Sequence, residues 1–145
     1  MSNNMKVKII GKYEKKSSIK LPLYETGVSA GFPSPAEDYV DRGLDLNEHL
    51  ITHPEATFFV RVEGESMVNA GINSGDILIV DRAMEPNNKK IVIAVVDGEF
   101  TVKRFIKEDS KILLVPENPD YTAIDICSGS ELEIWGVVTY VIHKL

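Results

Sequence analysis

The chain has 145 residues, 43% hydrophobic and 26% charged, with a formal net charge of −6 and one cysteine, Cys127. That length supports one domain with its own core, and a lone thiol excludes an internal disulfide framework and suits a reducing, cytoplasmic compartment. No apolar run reaches the ~20 residues that a membrane-spanning helix needs, and Met1–Gly11 lacks the continuous apolar centre of a secretory signal.

Charge is unevenly spread. Residues 1–20 hold six lysines against Glu14, net +5, which leaves −11 on residues 21–145. An acidic body repels nucleic-acid phosphate, so the basic tail is expected to dock on its own or a partner's acidic surface.

Residues 1–33 read as an extended arm. Val7, Ile9, Ile10, Ile19, Leu21 and Leu23 form only short alternating strips, enough for extended pieces but not for an independent core. Thr26 to Pro33 is built of small residues ending in proline, which favours an exposed, extended backbone. Residues 34–145 read as the folded, β-rich domain. Ser34-Pro35-Ala36-Glu37 has the spacing of a helix start and predicts a short helix through about Asp41, stopped at Gly43. Asp45-Leu46-Asn47-Glu48 repeats the pattern and predicts a second short helix ending before Pro54.

Beyond Pro54 the pattern turns to strands. Thr57 to Val62 is one, and Gly64 to Gly75 is loop or a helical turn. Asp76 to Asp81 is a buried strand bracketed by acids. Ile91–Val96 and Glu99–Ile106 flank Asp97-Gly98, the strongest hairpin signal in the chain. Lys111–Val115, Asp125-Ile126 and Leu132–Ile142 supply further strands. Short strands joined by tight turns predict a mostly β, antiparallel body that is curled or partly closed.

Two residues in this frame carry chemistry. A two-residue turn at Asp97-Gly98 sets Lys103 opposite Val92 and Thr101 opposite Ala94, with Phe105 on the same face as Lys103. Desolvation by such neighbours lowers a lysine's pKa and makes neutral amine available near pH 7, as a general base requires. Ser66 follows Gly64, whose conformational freedom can aim a hydroxyl and nearby amides at one point. A serine and a lysine suffice for acyl transfer without a His-Asp relay. The same residues also read as a turn-capping serine and an exposed strand lysine.

Several blocks share order and spacing with one family. Gly31-Phe32-Pro33-Ser34-Pro35-Ala36 with Asp38-Tyr39-Val40, Gly64-Glu65-Ser66-Met67, Gly75-Asp76, and Val96 through Lys103 resemble the UmuD-like members of the LexA/UmuD family of self-cleaving serine peptidases, over roughly residues 21–145. The resemblance implies a LexA/signal-peptidase-like fold with no cofactor and no metal. It implies Ser66 as nucleophile, Lys103 as general base, and the Glu65 and Ser66 amides as oxyanion donors. The implied cut is the Ala30-Gly31 bond, a LexA-like pair where UmuD proteins often carry Cys-Gly. It further implies a homodimer, stimulation by RecA filaments on single-stranded DNA, and, after trimming, service to a UmuC-like Y-family DNA polymerase in error-prone synthesis past lesions, the SOS response. No helix-turn-helix precedes the arm, which argues against operator binding. Trp135–Ile142 is the expected exposed strand edge for dimerisation. A non-catalytic subunit that only binds the polymerase or RecA is the alternative, and a general signal-peptidase-type protease is a third reading, for which no membrane anchor is visible.

Other residues read more plainly. Cys127 with His49, His53 or His143 lacks any thiol-protease signature, and Cys127 reads as a strand-packed core thiol. One cysteine and three scattered histidines make no recognisable metal site. Asp76 and Asp81 read as turn residues, Trp135 as core, Arg104 as solvated or salt-bridged, and the Glu65 side chain as an exposed loop acid.

Overall fold

A computed structural model of the chain describes residues 5–15, 20–24, 40–126 and 130–145, with the backbone alone at 20–24 and 40–44. Two units divide it, one made of Met1–Tyr13 with Glu55–Leu145 and the other of Glu14–Pro54.

The first unit is one eight-stranded sheet. Its strands are β1 (Lys6–Lys12), β4 (Thr57–Glu63), β5 (Ile77–Asp81), β6 (Ile91–Val96), β7 (Glu99–Glu108), β8 (Lys111–Val115), β9 (Ile124–Ile126) and β10 (Leu132–Ile142), in the order β1-β4-β5-β10-β6-β7-β8-β9. Every pairing is antiparallel. The curled sheet is apolar on both faces near its middle. On one face Ile93 and Val102 join Val60, Val62, Leu78 and Trp135; on the other Val92 and Ala94 join Phe105, Leu114 and Val137. Cover on both faces is why β6 reads Ile-Val-Ile-Ala-Val-Val without a polar residue. The mostly β, antiparallel, partly closed architecture expected from the strand spacing is what forms.

Asp97 and Gly98 have φ of 48° and 85°, the left-handed pair of a type I′ turn, whose twist matches that of the strands it joins. The register follows as expected, Val92 opposite Lys103 and Ala94 opposite Thr101. Trp135 is core: Phe58 and Phe100 meet its ring edge-on, and the Arg82 guanidinium lies 4.4 Å from the ring centre. Asp76 and Asp81 hold turns. Asp76 accepts from the Asn73 amide at 2.7 Å, and Asp81 accepts from the Ala83 and Met84 amides at 2.8 and 3.1 Å.

In the second unit β2 (Lys20–Tyr24) pairs with β3 (Val40–Asp45), and α1 (Leu46–Leu50) follows. The second helix start is as read: Asp45 Oδ1 accepts from the Asn47 amide at 3.0 Å. The first helix needs correction. Ser34–Glu37 lies outside the described residues, but Val40–Asp45, where the helix was to run through Asp41, is a strand. Pairing with β2 overrides a weak local helix pattern there.

Trp135–Ile142 also needs correction. β10 is an interior strand, paired with β6 through Leu132–Val137 and with β5 through Val137–Ile142, so the sheet ends at β1 and β9. Among the described residues no helix is long and apolar enough to cross a membrane.

Candidate active site

Ser66 is set by the way β4 stops. Gly64, just past Glu63, has φ +112°, a conformation that side chains with a Cβ rarely adopt. A Cβ there would also lie 3.3 Å from the Met5 backbone. The Gly64 amide donates to Ser74 Oγ at 3.1 Å, the chain turns, and a 3-10 turn over Val68–Ala70 closes the loop. Ser66 and Met67 end fully buried, whereas the Glu65 side chain is exposed, as expected.

Lys103 is the largest fully buried side chain among the described residues, at 0% exposure, so the reading as an exposed strand lysine fails. Strand alternation explains the burial: Thr101, Lys103 and Phe105 share the inward face that Val92 and Ala94 line from β6. Its Nζ lies 3.1 Å from Ser66 Oγ and donates to the Val102 carbonyl at 3.1 Å. Among the described residues no carboxylate pairs with it. Burial lowers its pKa from 10.5 to about 8, because a desolvated ammonium is disfavoured. With the amine neutral, its lone pair can accept the Ser66 proton.

The loop after β8 ties these elements together. Asn118 Nδ2 donates to the Glu65 carbonyl at 2.8 Å, the Asn69 amide donates to the Glu117 carbonyl at 2.8 Å, and the Glu117 amide donates to Met67 Sδ at 3.3 Å. The Glu117 carboxylate pairs with Arg104, the residue after Lys103, so Arg104 is salt-bridged as expected. One short loop thus grips both the serine's turn and the lysine's strand. The Glu65 carbonyl and the Ser66 N–H belong to one planar peptide unit and point opposite ways. Holding the carbonyl therefore aims the amide. No described residue accepts a hydrogen bond from the Glu65 or Ser66 amide. A groove of about 330 Å³ runs along the same loop, past Asn69, Glu117, Asn118 and Tyr121.

The structure therefore brings Ser66 and Lys103 together with the Glu65 and Ser66 amides beside them. Ala30, Gly31 and Cys127 lie outside the described residues. His143 contacts Asp76, with Nδ1 2.6 Å from Oδ1. Glu117, Asn118 and Met5 are the site neighbours that sequence reading missed; Pro116 and Pro119 flank Glu117 and Asn118 and are the local signal that a turn stands there.

The curled antiparallel sheet and its buried serine–lysine contact define the fold and the candidate site. The Peptidase S24-like family matches residues 22–139, and the chain belongs to that family. It is similar to Protein SamA of Salmonella typhimurium, 50% identical over 123 residues, with 85% of each chain covered. Protein MucA of Escherichia coli is 44% identical over 121 residues, covering 83% of this chain and 82% of the relative. LexA repressor 1 of Pseudomonas putida is 37% identical over 139 residues, covering 95% of this chain and 68% of the relative. The kinship expected from the sequence blocks is thereby borne out.

Proposed function

We propose that the chain is a serine endopeptidase that cuts itself once, at Ala30-Gly31, with Ser66 as nucleophile and Lys103 as general base. The observation carrying this reading is the buried 3.1 Å contact between Lys103 Nζ and Ser66 Oγ, made by an amine whose pKa burial lowers to about 8. Ser66 Oγ attacks the Ala30 carbonyl carbon while Lys103 takes its proton. The Glu65 and Ser66 amides receive the negative charge that develops on the carbonyl oxygen. Collapse breaks the peptide bond, Lys103 returns the proton to the Gly31 nitrogen, and Ala30 is left as an ester on Ser66. Water activated by the same amine then frees Ser66 and gives the Ala30 carboxylate.

Membership of the Peptidase S24-like family and likeness to a LexA repressor support the peptidase reading. Kinship with SamA and MucA supports a place for the trimmed form in SOS mutagenesis, as a homodimeric accessory subunit of a UmuC-like Y-family DNA polymerase in the cytoplasm. Filaments of RecA on single-stranded DNA stimulate the cut by favouring the conformation that brings Ala30-Gly31 to Ser66, a population shift that needs no catalytic group from RecA. Removal of residues 1–30 takes away six lysines, Glu14 and Glu25, net +4, so residues 31–145 carry −10 and present a more acidic surface to the new partner.

The test is incubation with RecA, nucleotide and single-stranded DNA, followed by sequencing of the new amino terminus. A fragment beginning at Gly31, formed faster than without RecA, is expected. An intact chain after this treatment and after overnight incubation at high pH leaves only the non-catalytic binding subunit.

A further inference from the structure

The bond proposed for cleavage lies between two strands that are held on its far side. β1, from the first residues of the chain, pairs with β4 through six residue pairs from Lys6–Glu63 to Lys12–Phe58. β2 pairs with β3 through five, from Lys20–Asp45 to Tyr24–Val40. Both β1 and β2 precede Ala30; both β4 and β3 follow Gly31.

The first of these attachments has an apolar anchor. Met5 is 1% exposed and shares the core with Val60, Val62 and Met67. It packs so closely against Gly64 that no Cβ would fit there without displacement. Past the ladder, the Tyr13 amide donates to the Thr57 carbonyl at 2.8 Å, and the Tyr13 ring lies 6.3 Å from that of Phe59. Lys6, Lys8 and Lys12 stay exposed, so docking this strand desolvates none of their charges. Residues 1–13 accordingly belong to the same compact unit as the rest of the eight-stranded sheet.

We propose that hydrolysis at Ala30-Gly31 does not part the two pieces: residues 5–13 remain seated on the edge of β4 as a noncovalent second chain. Their displacement is then a separate step, and it is this step that opens the β4 edge and the Met5 socket beside the serine's turn. The proposal rests on the reading of Ala30-Gly31 as the bond cut. A peptide bond joins neighbours along the chain, whereas the ladder and the buried methionine join residues more than forty positions apart, and hydrolysis touches neither. The uncovered edge would offer unpaired backbone groups for strand addition, so retention also protects the cut chain from pairing with other sheets.

The test uses the full chain carrying Ser66→Ala and a site-specific protease recognition sequence inserted between Ala30 and Gly31, so that the nick does not depend on self-cleavage. After nicking, native mass spectrometry is expected to give the mass of the uncut chain plus one water, while denaturing conditions give two pieces. Amide exchange in β4 should stay as slow as before the nick. Prompt loss of the amino-terminal piece under native conditions, or fast exchange in β4, overturns the proposal. Placing a charge in the socket with Met5→Asp should cut the retained fraction about tenfold or more; undiminished retention in that variant overturns β1 as the anchor. Failure of the peptidase reading shows up elsewhere, as an uncut wild-type chain.

Discussion

Lys103 reaches across 37 residues of sequence to bring its amine within 3.1 Å of the Ser66 hydroxyl, in a spot with no exposure at either residue. Contact, burial and the lowered pKa together give the pair its chemical meaning, because the same contact at the surface would hold a charged, hydrated ammonium that takes no proton.

Self-cleavage should therefore follow the protonation of Lys103. Below its pKa of about 8 the fraction of neutral amine, and with it the rate, rises about tenfold per pH unit; above that value the rate levels off. Ser66→Ala and Lys103→Ala should each abolish the reaction while leaving a folded chain, as circular dichroism would record. A rate independent of pH from 6 to 10 would remove Lys103 from the role of base.

The buried lysine also costs stability at neutral pH. Below about pH 8 folded and unfolded chains both hold the proton, and folding buries a charge. Between about 8 and 10.5 only the unfolded chain holds it, so the cost fades as pH rises. At 1.36 kcal/mol per pKa unit, the lowering amounts to roughly 3 kcal/mol. In a Ser66→Ala background, Lys103→Met should stabilise the chain at pH 7 by up to this amount, with an advantage that shrinks toward pH 10.5. Urea unfolding at several pH values measures it; an advantage that grows with pH would contradict burial as the cause.

Asn118 should matter through geometry rather than through the lysine. Asn118→Ala removes the 2.8 Å hydrogen bond to the Glu65 carbonyl, leaving it the longer 3.4 Å bond from the Val68 amide, and so loosens the aim of the Ser66 amide. We expect self-cleavage to slow about tenfold, less than the loss of an oxyanion donor itself. The midpoint of the pH–rate curve should stay where it is. A midpoint displaced toward the ordinary lysine value would mean that the variant has let water reach Lys103 instead.

Gly64→Ala meets two obstacles at once, a φ of +112° and the Met5 backbone 3.3 Å from the new methyl. A destabilisation of about 1–3 kcal/mol is expected. Thermal unfolding measures it, and a variant as stable as its parent would show that the turn relaxes without strain.

How much of this was legible in advance depends on the range of the interactions involved. The Asp97-Gly98 turn selects a type I′ hairpin on its own, and that turn sets the register that turns Lys103 toward Val92 and Phe105. The Asp45 cap likewise acts over two residues and was readable. Where the expected helix was to reach Asp41 the chain is a strand, because pairing with residues about twenty positions upstream outweighs a weak local preference. Trp135–Ile142 looked like an edge because an apolar strand carries no record of how many neighbours it will have.

The sequence by itself determined the strand-rich architecture, the hairpin, the buried face of β7 and the family, since these follow from side-chain alternation, turn chemistry and ordered blocks of residues. Only the tertiary structure decided that Ser66 meets Lys103, that Asn118 and Glu117 grip both, and that the first strand of the chain closes the sheet beside them. Those contacts join residues from 13 to 57 positions apart, and whether such segments meet depends on burying the whole sheet at once, a property no local window of the chain contains.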